Sequence, residues 1–410
     1  MQTPGWPSVQ GMAGLLGCQG FAAPRADPAA AAAEVVEREL PAGVSARALH
    51  ERRGEHGADG GAGARTELVF VAGRSVAVGA GEAAGAGGGL RLVEGAGLAA
   101  VAEALLSLPG AAWRGDWEIE IPGALRFGFF FLQRRRAAGT TTCTFAVDWA
   151  DADRLAREPA AAEAESATAR FPVAAAFQPI RRLFAKLPPD QLAVAGHAVA
   201  KVGWRRKHLF CGRCGEQLVL AEMGKLLCPR PEKPACPKLY PRTDPVIIMA
   251  VESVDGARVL LGRGKRAPPG LFTALAGFVE QAETIEDACR REVREESGVR
   301  VEAVSILGSQ PWPIGRAGSC ELMIGCMARA ASSDDEAEAI EELQEARWFT
   351  RGEIRDALER SGMAANPYNG GDGGGVGEVL WIPPRFAIAH HLLKFWEAQG
   401  AEAEEPSSKM

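Results

Sequence analysis

The chain has 410 residues, long enough for two or three domains, and 47% of them are hydrophobic, enough to bury a sizeable core. Its formal charge of −6 argues against broad nucleic-acid binding driven by phosphate neutralisation. Nine cysteines in a chain this long do not make a secreted disulfide scaffold, and no apolar run reaches the length of a membrane span; the candidate at 98–113 is broken by Glu103 and Pro109.

Residues 1–34 read as a flexible segment open to a targeting role. Residues 1–26 carry no Asp or Glu, as transit peptides do, but only one Arg. An α+β domain with Ala/Gly-rich insertions is expected over 35–182. Within it 67–72 and 90–93 read as short strands and 98–108 as a helix; 117–132 and 140–149 read as paired strands turning at the basic run 134–136. The glycines of 79–84 mimic a dinucleotide-binding loop but lack its strand–turn–helix setting.

The stretch 183–202 reads as a helix leading into a cysteine cluster, the two forming a unit at 183–242. Cys211 and Cys214 stand two residues apart, each followed by glycine, in the manner of a zinc knuckle. Cys228 and Cys236 complete a four-thiolate set, which closes a tetrahedron and makes the zinc structural. The second pair is wide, so the intervening loop must bulge out for Cys236 to reach the metal. A redox-active Cys-x-x-Cys is the rival reading, and the βαβ pattern that would support it is missing. His197 and His208 read as surface or packing residues.

A third domain is expected over 243–399. Strand-like runs lie at 246–251, 259–261, 271–276, 301–307 and 321–328, with a closing helix at 386–399. Between them stands an acidic helix holding Glu292, Glu295 and Glu296. Like charges three or four residues apart cost about 0.2–0.5 kcal/mol per pair, so a solvated acidic face is the bland explanation. The frame around them argues for more. Gly277 follows a strand-like run and permits a tight turn. Thr284 can cap the helix, Glu286 and Asp287 suit its positive end, and Gly298 suits a left-handed C-cap. Oxygen ligands on one rigid face fit a hard cation, Mg²⁺ or Mn²⁺, and Arg291 is placed to pair with Glu283. The run 369–378 reads as a flexible loop, and 400–410 as a tail. The last three residues, Ser408, Lys409 and Met410, nearly match the Ser-Lys-Leu peroxisome address. A peroxisome is therefore the expected compartment, with plastid, mitochondrion or cytosol as alternatives.

Gly277, five residues, Glu283, seven residues, Arg291-Glu292-Val293, one residue, Glu295-Glu296, one residue, Gly298-Val299 matches every fixed position of the Nudix box. The chain therefore resembles the Nudix hydrolases. The resemblance implies an α/β/α sandwich with a mixed sheet, here preceded by a small zinc ribbon and the α+β domain. With the ribbon upstream and Ser309-Gln310-Pro311-Trp312-Pro313 downstream, the chain is similar to the NADH pyrophosphatase subfamily. This implies hydrolysis of the pyrophosphate of NADH or NADPH. The metal ligands implied are Glu292, Glu296, the Ala276 carbonyl and Glu342, with the neighbouring Glu341 as alternative. Glu295 would support the metal or help activate water. Implied substrate contacts are Tyr240, Gln310, Pro311, Trp312, Pro313 and Ala389, and Phe278 is added as a stacking partner. A homodimer is implied too. Where the subfamily usually has Phe-Pro, this chain has Ile314-Gly315, and plant-type members look closer; the following Arg316 suits a 2′-phosphate. Removal of NAD caps from RNA 5′ ends is a second reading, needing a basic path from Lys201, Arg205, Arg206 and Lys207. A non-catalytic zinc-ribbon module binding nucleic acid is a third.

Overall fold

The computed structural model describes residues 34–37, 64–72, 75–78, 93–94, 97–106, 111–114, 118–121, 125–137, 140–148, 176–184, 186–221, 224–230, 236–315, 318–333, 337–340, 342–363, 365–369 and 379–404. These fall into two compact units: Ala23–Thr243 with Pro313–Cys320, and Asp244–Trp312 with Glu321–Met410.

The first unit carries a sheet of β1 (Glu34–Glu37), β2 (Ala64–Ala72), β3 (Ser75–Val78), β4 (Val93–Glu94), β5 (Ala112–Arg114), β6 (Glu118–Ile121), β7 (Leu125–Ala137), β8 (Thr140–Asp148) and β9 (Ala176–Pro179). Its order is β5-β6-β7-β8-β2-β3-β9, with β1 on β7 and β4 on β2, and helix α1 (Gly97–Leu106) packs on β2. Two expectations are corrected here. The run 117–132 is not one strand: β6 and β7 are separate and antiparallel, with the turn-forming pair Pro122-Gly123 between them in the sequence. Nor do the arginines at 134–136 form a tip. Arg134, Arg135 and Arg136 lie inside β7, in register with Cys143, Thr142 and Thr141 on one side and Glu37, Val36 and Val35 on the other. Two flanking ladders satisfy their backbone, which outweighs the preference of charge for a turn.

The expected helix at 183–202 is also corrected. A 3₁₀ turn at Ile180–Leu183 is followed by a separate helix α2 (Pro189–Lys207) with proline in its first turn. Proline cannot donate within a continuing helix but suits the first position of a new one. Arg205, buried at the end of α2, donates to Glu118 Oε1 (2.8 Å), and the other Glu118 oxygen accepts from Leu220 N–H (3.1 Å). Arg206 forks onto both oxygens of Asp148 (2.9 and 2.8 Å). Two of the four cations assigned to an RNA path are thus spent on holding helix, sheet and β10 (Val219–Leu220), which pairs with β11 (Leu226–Leu227), together.

In the second unit the sheet order is β15 (Val301–Trp312), β16 (Glu321–Ala330), β12 (Asp244–Glu252), β13 (Arg258–Gly264), β17 (Leu343–Thr350), with β14 (Leu275–Phe278) also on β12. The β12–β16 pair is parallel and the others antiparallel, so the sheet is mixed. The apolar run of β12 is buried on both faces, as a central strand must be. Its side chains alternate between two cores. Ile247, Met249 and Val251 pack with Ala288, Cys289 and Val293 of α3 (Ile285–Ser297). Ile248 and Ala250 share the other core with Ile354 and Ala357 of α4 (Arg351–Arg360) and Leu392, Leu393 and Trp396 of α5 (Ile388–Glu404). Helices cover both faces, which makes the α/β/α sandwich expected from the sequence.

Candidate active site

Helix α3 begins where the sequence marks it. Thr284 Oγ1 accepts from Asp287 N–H (3.1 Å), and Gly298 closes the helix at φ 73°, a left-handed cap that costs glycine little. Gly277 is corrected. It does not turn the chain after a strand but lies within β14, paired with Ile247. A Cβ built on it would overlap the Glu292 carboxylate. Glycine is needed there because the carboxylate rests directly on the backbone.

Arg291 holds the cluster. Nε donates to Glu283 Oε1 (2.8 Å), and Nη2 to Glu283 Oε2 and the Phe278 carbonyl (2.9 Å each). Nη1 donates to Glu292 Oε1 (2.8 Å) and Glu295 Oε2 (3.1 Å). The guanidinium keeps the Glu283 carboxyl below the ordinary range. Burial raises that of Glu292, with Glu295 and Glu342 pushing the same way against Arg291. Glu342, just before β17, therefore lies within electrostatic reach of Glu292, and Glu296 Oε2 is buried alongside. Gathered carboxylates that raise one another's proton affinity suit a divalent cation with oxygen ligands. Glu341 and Arg316 lie outside the described residues, as do all but the first residue of the loop 369–378 and the tail at 408–410.

Ala276 sits in β14 opposite Ile248, and Phe278 ends that strand, 39% exposed and open to a stacking ligand. Pro311 and Trp312 end the edge strand β15, paired with Leu322 and Glu321, where a proline interrupts no second ladder. Gln310, expected to offer its amide to a substrate, is 1% exposed. Its Nε2 donates to the Phe386 carbonyl (2.7 Å) and its Oε1 accepts from Ile388 N–H (2.9 Å). Each end of the amide is spent on the start of α5, so Gln310 braces that helix against β15. Ala389 is likewise corrected as a side-chain contact: its methyl lies in the core. Pro313 is also buried, whereas Tyr240 is 64% exposed; both belong to the first unit.

The four cysteines do converge. Their sulfurs lie within 4.8 Å of one another, with Cys214 3.5 Å from Cys228 and 3.7 Å from Cys236. A tetrahedral zinc–thiolate site with ~2.3 Å arms has edges of about 3.8 Å, so the set fits a metal. Gly215 N–H bonds the Cys211 carbonyl (2.8 Å) to close the knuckle. Backbone N–H groups of Arg213 and Cys214 lower the Cys211 thiol to about 7, while burial and the neighbouring thiols push Cys236 up to about 12. His208 stands outside the sulfur cluster: its Nδ1 pairs with the Trp204 carbonyl (2.7 Å) and its ring packs on Trp204.

The family model described as NUDIX domain matches residues 241–366. A relative in Deinococcus radiodurans, named NAD-capped RNA hydrolase NudC, is 38% identical over 229 residues, 55% of this chain and 70% of that protein. The chain belongs to the Nudix family. Within it the NADH pyrophosphatase subfamily fits, for the relatives carry related names. A human NAD-capped RNA hydrolase, NUDT12, is 42% identical over 219 residues, 52% of this chain and 43% of that protein. A human mitochondrial NAD(P)H pyrophosphatase, NUDT13, is 34% identical over 225 residues, 54% of this chain and 59% of that protein. The chain thus spans under half of the first of these two human proteins and under two thirds of the second. The Nudix match covers the acidic helix, β14 and the Gln310 strand end, but reaches neither the cysteine cluster nor the first-unit sheet.

Proposed function

We propose that this chain hydrolyses the pyrophosphate of NADH or NADPH, giving reduced nicotinamide mononucleotide and AMP or its 2′-phosphate. One observation carries the reading: the Glu292 carboxylate seated on Gly277, steadied by Arg291 and sharing its field with Glu342. Glu292, Glu296, Glu342 and the Ala276 carbonyl would hold Mg²⁺ or Mn²⁺. Such an ion, when bound, offsets charge building at phosphorus and lowers the pKa of water. The chain's own part is placement. Arg291 stays cationic and fixes Glu283, Glu292 and Glu295 in one array. Glu295, more exposed than Glu292, is the carboxylate best able to take a proton from the attacking water. Phe278 and Trp312 offer flat faces to the two bases. Cys211, Cys214, Cys228 and Cys236 would hold a structural zinc.

A second reading, removal of the NAD cap from RNA, has support in the names of the Deinococcus and human relatives. It breaks the same bond in a longer substrate. A homodimer remains part of the proposal. The mitochondrial name of one relative supports an organellar home, which a fluorescent fusion of the full chain would test. The decisive experiment incubates the purified protein and Mg²⁺ with NADH, NADPH, NAD, ADP-ribose and NAD-capped RNA and compares kcat/KM. Glu296→Gln should abolish turnover and chelation should stop it; indifference to both sinks the reading.

A further inference from the structure

A short basic loop stands beside the acidic cluster, and the chemistry above leaves it idle. It leaves β13 at Gly264, and its first residue, Lys265, donates its N–H to the carbonyl of Glu342 (3.4 Å). Glu342 is the residue whose carboxylate acts on Glu292. Two turns stiffen the loop, Ala267 N–H to Gly264 O (2.9 Å) and Leu271 N–H to Pro268 O (3.2 Å), and Pro268-Pro269 restricts it further. Its far end is clasped by Trp381, through Trp381 N–H to Gly270 O (2.8 Å) and Phe272 N–H to Trp381 O (2.9 Å).

The charges on this loop divide into two kinds. Arg263, on the strand before it, is spent on Glu345 (3.3 Å) and anchors β13 to β17. Lys265 and Arg266 are exposed, and neither forms an ion pair with a described residue. Exposed cations are ordinarily just solvated. These two differ because a pinned backbone presents them next to a gathering of carboxylates with which they form no pair. A preorganised backbone lowers the ordering cost of taking a ligand. The ligand must be an anion that comes to the acidic site.

The pyrophosphate reading says which anion. The scissile phosphates belong to the carboxylates and their cation. The further phosphate of NADPH is the 2′-phosphate of the adenylate ribose; in an NAD-capped RNA it is the 3′-phosphodiester of the same sugar. We propose that Lys265 and Arg266 form a subsite for a phosphate on the adenylate ribose, and so set the preference of this enzyme for substrates that carry one. The proposal rests on the pyrophosphate reading for its ligand, but its test does not need turnover.

The experiment is calorimetric titration of the full-length protein, in Mg²⁺ at low salt, with AMP, adenosine 2′,5′-bisphosphate and adenosine 3′,5′-bisphosphate. At least one bisphosphate should bind roughly tenfold tighter than AMP, the scale of two exposed charge pairs. The preference should fall towards one in Lys265→Ala/Arg266→Ala and shrink with added salt. A preference in the 2′ arm points to NADPH, and one in the 3′ arm to capped RNA. No preference over AMP in the wild-type protein overturns the subsite. So does a preference that survives the double substitution, above all if Arg316→Ala removes it instead. Failure of NADH hydrolysis with the preference intact would count against the pyrophosphate reading alone.

Discussion

At the acidic helix, groups that repel are gathered by the scaffold; at the cysteine cluster, none of the four thiols stands on a helix or a strand. Glu292 is wedged on Gly277, Arg291 forks onto Glu283, and Cys289 and Val293 on the core side of α3 are fully buried. The helix would keep its place with no cation at all. The cysteines sit among short elements: β10 and β11 have two residues each, and Cys211 is the one buried thiol of the four. A thiol pushed up to about 12 at Cys236 beside one lowered to about 7 at Cys211 suits a set that a cation would hold as thiolates. The acidic cluster is held by its own scaffold; the cysteine cluster has the sulfur spacing of a metal site on short elements.

The largest expected effect tests that contrast. Structural zinc in small modules contributes on the order of 10 kcal/mol to their folding. Cys236→Ser or a strong chelator should release the metal and unfold the ribbon while the melting of the Nudix unit barely moves. Zinc analysis with calorimetry reads this, and a ribbon that keeps its structure without metal breaks the comparison. Next, Gly277→Ala should displace Glu292 and lower kcat by about 100-fold, the cost of roughly an ångström of misplacement, with far-ultraviolet circular dichroism unchanged.

A third test asks how the packed unit answers acid. His390, in the first turn of α5, is buried near the charges of His391, Arg385 and Lys394, and burial lowers its pKa to about 4. The unfolded chain takes that proton near pH 6.5. Its contribution to stability is therefore complete above that pH and is lost as the pH falls towards 4. Between pH 7 and 5 urea unfolding should show the wild type losing about 2 kcal/mol more than His390→Gln. The smallest expected effect is that of Arg291→Lys. An ammonium cannot fork onto Glu283 and reach Phe278, and kcat/KM should fall about tenfold. An unchanged value would mean that the array is held by α3 alone.

Much of the site is legible in the chain because its parts are local. Thr284, Gly298 and the spacing of Glu283, Arg291, Glu292, Glu295 and Glu296 belong to one strand–loop–helix of some twenty residues, and helical periodicity alone brings them together. The four cysteines are legible for a similar reason, since thiol pairs in one short stretch have few other uses. The errors share a different cause. In the sequence Gly277 reads as a turn because its need for an absent side chain comes from Glu292, fifteen positions on in the chain. In the sequence Gln310 reads as a substrate contact because its partners, Phe386 and Ile388, lie more than seventy residues away. In the sequence Arg205 and Arg206 read as the start of a basic path because Glu118 and Asp148 come from a distant sheet.

By itself, then, the chain of residues determined which groups could do chemistry and which helix would carry them, since capping, periodicity and metal-ligand spacing act over a few bonds. Only the tertiary structure decided which polar groups remain available, because an amide or guanidinium is claimed by whichever partner folding brings within 3 Å, and that partner has no fixed distance along the sequence.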